Sequence, residues 1–394
     1  MITPEPENGN SWRRFLPLIL AFALGVCLAS LIFFALPTKS VEEPGLADPA
    51  SQDSPSASQD APLDIAATFP SWNPDSEVLA RLVAFVEAVC EPGGPSYVAP
   101  EDRIATFDMD GTIISEKAPF YLDYMLLLHR VLDDPTYTAD AETRTLCEDI
   151  SFYAYRGKKN SDLSEGRHRA SAAVFEGMTP EEYRAYVNNF LDTVEVTGFD
   201  GMTYGGSYYK PMVEVIEYLK ANDFEVWMVS ASQREIVRAV VERLGIEPDH
   251  VIANDLGYAT TGQGSEGSLD YNMVQTEEIV LTTPLYDDCE KVGKSLAIAR
   301  EIGKRPLLAF GNSSGDYSML NYAMSGEGLS MLVIADDEER EYGDSEKAAE
   351  AFETAEKELW LPCSMKDDWA TIYGEGVVKT ALPTEEELEL AEAA

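Results

Sequence analysis

The sequence predicts an α/β protein built on a parallel sheet and interrupted by a long helical insertion, and three observations carry that prediction. Ile104, Ala105 and Phe107 form a short β-type apolar run that breaks off at two carboxylates, Asp108 and Asp110, followed by Gly111. A second apolar run, residues 225–229, ends in Ser230-Ala231-Ser232 and passes into a helical pattern over 233–244 that Gly245 stops. A third, residues 307–310, ends in a glycine-rich loop. Strands alternating with helices point to parallel pairing, because a parallel connection must cross the sheet and a helix is the usual crossover.

Ahead of these elements the chain has two segments of different character. Residues 15–36 are 22 uncharged, mostly apolar residues preceded by Arg13 and Arg14, long enough to span a bilayer. The positive-inside rule then predicts a cytoplasmic N-terminus (1–14), a transmembrane anchor (15–36) and everything later outside the cell, as a single-pass protein of the cell membrane. A cleaved signal peptide is the alternative. Residues 37–71 are rich in Pro, Ser, Ala, Asp and Gln without periodicity and read as a disordered linker, with the folded part beginning at Trp72.

Composition narrows the class further. With 394 residues and 45% hydrophobic content the chain can bury a sizeable core, and its net charge of −41 argues against nucleic acid as a partner. An anionic substrate such as a phosphate ester would need a metal ion or local Lys and Arg to approach. Cys90, Cys147, Cys289 and Cys363 are compatible with two disulfides or with four separate thiols, and sequence leaves their pairing open. His129, His168 and His250 show no zinc-binding spacing. Oligomeric state is not legible.

From 116 to 203 the pattern is helical and polar-faced, with Tyr121, Tyr124, Met125 and Leu128 at three-to-four spacing and a helix start at Thr179-Pro180-Glu181-Glu182. Pro211 opens an amphipathic helix carrying Met212, Val215, Ile216 and Leu219. Residues 254–284, rich in Gly, Thr and Ser, suggest a hairpin extension of the sheet. Gly293-Lys294-Ser295 imitates the end of a phosphate-binding loop, but Asp288 stands where its first glycine belongs. A short strand over 331–334, a helix over 345–359 and an acidic tail over 381–394 complete the chain.

The chemistry-bearing residues sit at strand ends. Asp108 and Asp110, two apart, share one side where the strand opens, and an Asp-Gly turn would explain Asp110 but not Asp108. Ser230 could cap a helix or bind an anion with its hydroxyl and neighbouring N–H groups. Lys294 begins the helix before residues 307–310, with Lys291 its rival. The loop over 311–316 places Asn312 and Asp316 just past that strand. It also contains Gly311-x-Ser313-x-Gly315, the nucleophile elbow of serine esterases, although all three histidines precede Ser313, against the order of that triad.

Taken together, D-x-D-G-T at 108–112, the strand ending in Ser230, Lys294, and G-N-S-S-G-D at 311–316 resemble motifs I to IV of the haloacid dehalogenase-like (HAD) hydrolases. The resemblance implies a Rossmann-like core (72–114 and 206–380) with a helical C1-type cap (115–205), the layout of phosphoserine phosphatase. It implies a Mg2+-dependent phosphatase of small phosphate esters, with Asp108 as nucleophile, Asp110 as acid and base, and Ser230 and Lys294 holding the phosphoryl group. Mg2+ would be held by Asp108, the Asp110 carbonyl, Asn312 and Asp316. The family commonly has Asp where this chain has Asn312. In phosphoserine phosphatases a cap Glu and a cap Arg select the amino acid. Here Glu116 stands one residue closer to motif I than in that pattern, and Arg167 and Arg169 match it poorly. A catalytically degenerate domain kept as a surface binding module is the reading from another class.

Overall fold

The computed structural model describes residues 63–388 apart from 118, 287 and 385, and the fold below is that of this part of the chain. Its strands are β1 (Ile104–Phe107), β2 (Phe199–Asp200), β3 (Glu225–Gln233), β4 (Val251–Thr260), β5 (Ile279–Tyr286), β6 (Leu308–Gly311), β7 (Leu329–Ile334), β8 (Leu361–Ser364) and β9 (Val378–Lys379). Seven of them form one sheet in the order β5-β4-β3-β1-β6-β7-β8, while β2 and β9 pair separately. Every pairing in the large sheet is parallel except β4 with β5. The chain starts at the centre, winds outward through β3 and β4, and then returns to build the other half from β6. That reversal opens a crevice at the carboxyl ends of β1 and β6, because the connections leaving the two strands go to opposite sides.

β1 is central because it can be buried on both faces: all four residues are buried, and the Phe107 ring stacks on Phe310 of β6 at 4.1 Å. Side chains alternate across the sheet. Phe107, Val226, Met228, Phe310 and Met331 belong to one apolar cluster, and Val229, Ile252, Ala309 and Leu332 to a second. Helices Glu77–Cys90, Lys210–Ala221 and Arg234–Glu242 contribute to the first cluster, and Val292–Glu301, Tyr317–Met324 and Ser345–Glu358 to the second. This is an α/β fold with a parallel sheet core, as the sequence predicts.

Helices Leu122–Leu128, Ala141–Ala154, Ser164–Ala173 and Pro180–Thr193 occupy the stretch between β1 and β3. The last begins with a capping box: the Thr179 hydroxyl accepts the Glu182 N–H and the Glu182 carboxylate accepts the Thr179 N–H. The expected hairpin is larger than residues 254–284. β4 starts at Val251, first pairs in parallel with β3, and then turns back into β5. Packing also begins before Trp72, since Phe69 is buried with its ring 5.1 Å from Tyr218. All four cysteines of this part are free.

Among the described residues no helix is long and apolar enough to cross a membrane. The longest have 14 residues, about 21 Å at 1.5 Å per residue, against a hydrocarbon core of about 30 Å. The expectation of a single-pass protein of the cell membrane is corrected accordingly. Residues 15–36, on which it rested, lie outside the described residues.

Candidate active site

β1 delivers Asp108 to the crevice one residue beyond its last paired position. The Asp108 N–H donates to the Phe310 carbonyl at 2.9 Å, which carries the β1–β6 pairing up to the site. Its carboxylate is buried, with Oδ1 accepting from Lys294 Nζ at 2.5 Å and Oδ2 from the Thr112 hydroxyl at 3.3 Å. Lys294 is itself 2% exposed and also donates to Asp316 Oδ1 at 2.7 Å. Its helix holds Ala297 and Ile298 against the sheet on the same face, so burying the apolar side carries the ammonium into the crevice. Lys291, the rival, is exposed at the cap of that helix, where its N–H donates to the Gly315 carbonyl at 2.9 Å.

The loop after β6 is folded around Asp316. Its Oδ2 accepts the N–H groups of Asn312 and Ser313, each at 3.0 Å, while Oδ1 is taken by Lys294. Both oxygens are therefore engaged within the protein, and Asp316 holds the lysine and the loop. Ser313 serves the same turn, its hydroxyl accepting from the Gly315 N–H at 3.2 Å. Gly111, with φ of +80°, has no Cβ for a reason of space, because a Cβ there would run into the Asn312 amide.

Asp110 reaches the crevice from the turn after β1. Ser232 donates to its Oδ2 at 2.8 Å, and its Oδ1 is buried without a partner. The neighbouring Ser230 hydroxyl accepts the Ser232 N–H at 3.1 Å. A register shift explains the geometry: Ser230 pairs with Ala253 and Gln233 with Asn254, so Ala231 and Ser232 bulge from β3 and Ser232 is re-aimed at the motif I turn. Asn254 fastens the bulge, donating to the Ala231 carbonyl at 2.6 Å and accepting the Cys289 N–H at 2.9 Å. Ser232 and Asn254 escaped sequence reasoning, since no local pattern announces a bulge.

Electrostatics follow from burial. Desolvation first, then the Asp316 carboxylate, pushes Asp108 up to about 7 against the pull of Lys294. Burial, then Asp108 and Asp123, holds Asp110 well above the ordinary carboxylate range, with the Ser232 hydrogen bond opposing. Burial also raises Glu116. Lys294 stays protonated because Asp108 and Asp316 outweigh its own desolvation.

The cavity, about 280 Å³, is lined by Asp108, Asp110, Ser230, Lys294, Asn312 and Asp316 from the sheet side and by Glu116, Tyr121, Asp123, Tyr124, Lys159 and Arg167 from the segment after β1. Arg167 bonds Asp123 at 2.6 Å and lies over the Tyr124 ring at 4.2 Å, with its Nε unpartnered. Arg169 is paired with Glu165 on the surface. Among the described residues no group of three or more His, Cys, Asp or Glu side chains is arranged to hold a metal. A cation here would draw instead on Asp108, the Asn312 amide oxygen and backbone carbonyl of Asp110, an all-oxygen set suited to Mg2+. The surplus of carboxylates over Lys294 and the unpartnered Asp110 oxygen fit such a guest.

A central parallel sheet, a strand-end aspartate pair and a buried lysine agree with the arrangement that motifs I to IV suggested. The model of the haloacid dehalogenase-like hydrolase family matches residues 105–321, more than half of the chain, and the chain belongs to that family. Its fold is similar to that of a protein with unknown function from Bordetella pertussis Tohama I (18% identical, covering 66% of this chain and 97% of that one, TM-score 0.41). It is also similar to a conserved functionally unknown protein from Anaerococcus prevotii DSM 20548 (14%, 74% and 92%, 0.45). A third is a phosphoserine phosphohydrolase-like protein from Francisella tularensis subsp. tularensis SCHU S4 (16%, 60% and 89%, 0.32). No curated protein matches the chain.

Proposed function

We propose that this hydrolase is a Mg2+-dependent phosphomonoesterase acting on small phosphate esters through an aspartyl-phosphate. The observation that carries the reading is the Lys294 ammonium bonded to both Asp108 and Asp316 at the carboxyl ends of β1 and β6. An Asp108 oxygen attacks phosphorus as the bond to the leaving oxygen breaks, and Asp110, whose protonated form is favoured by burial and by Asp108, gives that oxygen its proton. Water then attacks the phosphorus of the aspartyl-phosphate, Asp110 takes its proton, and inorganic phosphate leaves with Asp108 restored. Ser232 orients Asp110 in both steps. Lys294 and the N–H groups near Ser230 offset charge on the phosphoryl oxygens. Asp108, the Asp110 carbonyl and Asn312 would hold Mg2+, which would supply further charge compensation at the phosphoryl group.

Phosphoserine is the specific ester favoured by one further observation: Glu116 and Arg167, candidates for its ammonium and carboxylate, line the same cavity. Phosphate release from a panel of phosphomonoesters, with and without Mg2+, tests the reading. Turnover that needs Mg2+ and is fastest for small esters supports it. No Mg2+-dependent release from any member would refute it.

A further inference from the structure

Asn312 stands where the family commonly carries an aspartate, and the structure pairs it with a carboxylate from another element. The Asn312 Nδ2 donates to Glu116 Oε2 at 3.2 Å, across 196 residues of sequence. The pair lies over the motif I turn: a Cβ at Gly111 would meet the Asn312 amide and come within 3.2 Å of Glu116 Oε2. Both Glu116 and Asn312 line the cavity with Asp108 and Asp110.

An amide has two ends of opposite polarity, and only the oxygen end can ligate a hard cation. A neighbouring carboxylate accepts hydrogen bonds and donates none, so it accepts Nδ2 and turns Oδ1 away from itself. It also carries the formal charge that the amide lacks. Lys294 already compensates Asp108 and Asp316, and Glu116 is a carboxylate from outside the motif IV loop that bonds to it.

We propose that Glu116 is a positioning residue for the cation: it orients the Asn312 amide with its oxygen toward the metal and supplies the negative charge that an aspartate at position 312 would have brought. The inference rests on the Mg2+-dependent reading above. It differs from the substrate-ammonium role considered for Glu116, which would affect substrate affinity and leave the cation alone.

The test is Mg2+ binding by calorimetry on the full chain without substrate, checked by Mn2+ paramagnetic resonance, for wild type, Glu116→Gln, Asn312→Asp and the double variant. Glu116→Gln removes the charge and can donate to Oδ1 as readily as accept from Nδ2, so Mg2+ affinity should fall by about tenfold or more. Asn312→Asp should bind at least as tightly as wild type. The double variant should return to within about threefold of wild type, because a carboxylate at 312 needs no orienting partner. This rescue also separates the role from a folding defect, which a second substitution would not repair. Unchanged affinity in Glu116→Gln, or a double variant as weak as Glu116→Gln alone, overturns the proposal while leaving Mg2+ dependence intact. Wild type that binds neither Mg2+ nor Mn2+ overturns this proposal and the cation reading together.

Discussion

Replacing Lys294 by Met keeps most of the side-chain volume and removes one charge from the most buried ion cluster of the site. Its ammonium lies 2.5 Å from Asp108 and 2.7 Å from Asp316, with every partner nearly excluded from water. At an effective dielectric of about 20 each contact is worth about 6 kcal/mol in Coulomb terms. Desolvation of three ions cancels much of that, and breaking a buried pair by deleting one partner typically costs about 3–5 kcal/mol. The cost should depend on pH with a definite sign. Burial already raises Asp108, and without the lysine nothing opposes that shift, so at this carboxylate the folded state binds more protons than the unfolded, whose pKa is about 4. Stability relative to wild type is then best preserved at low pH. It is lost as pH rises from about 4 toward the folded pKa of Asp108, by up to about 1.4 kcal/mol per unit. Urea unfolding in EDTA at pH 5.5 and pH 8 measures the difference. On the proposed mechanism turnover should fall by about 100- to 1,000-fold, the usual loss when one preorganised charge stabiliser is removed. A Lys294→Met protein as stable as wild type at pH 8, or one retaining turnover within tenfold, refutes the reasoning.

Three further outcomes are expected. Asp108→Asn should keep the fold and lose several orders of magnitude in turnover, and residual activity above about 1% would exclude Asp108 as covalent nucleophile. Ser313→Ala should retain phosphatase activity within about threefold, and a fluorophosphonate should leave the wild type unlabelled, because that hydroxyl is engaged in the loop's own turn; stoichiometric labelling of Ser313 would decide for an esterase. Burial pushes the Cys147 and Cys289 thiols up to about 12 and Cys363 well above the usual range, so none should alkylate in the folded protein at pH 8. Rapid modification at any of the three, mapped by mass spectrometry, would contradict their burial.

What was legible in the sequence is what local patterns encode. Apolar runs over 104–107, 225–229, 307–310 and 331–334 correspond to β1, β3, β6 and β7, because strands buried on both faces must be continuously apolar. The helices after Pro211, Gln233, Lys294 and Ser345 were marked by starts, stops and periodicity, and the strand-end positions of Asp108 and Asn312 followed from them, whereas Ser230 lies inside β3, which runs on to Gln233. Helix Glu77–Cys90 and strand β8 were not foreseen, the latter carrying a proline that weakens its β signal.

Tertiary structure alone decided the rest, since those facts join residues far apart in the chain. Lys294 meets Asp108 across 186 residues, and its advantage over Lys291 is the burial of one helix face. Ser232 reaches Asp110 only because β3 bulges against β4, a mismatch between two strands that neither contains. Sequence places Asp316 at the end of motif IV, and only the fold shows Lys294 donating to its Oδ1 while the Asn312 and Ser313 N–H groups donate to its Oδ2. The pairing of Asn312 with Glu116 has the same origin: local pattern sets where each side chain can point, and only the packed sheet and the segment after β1 set what it meets.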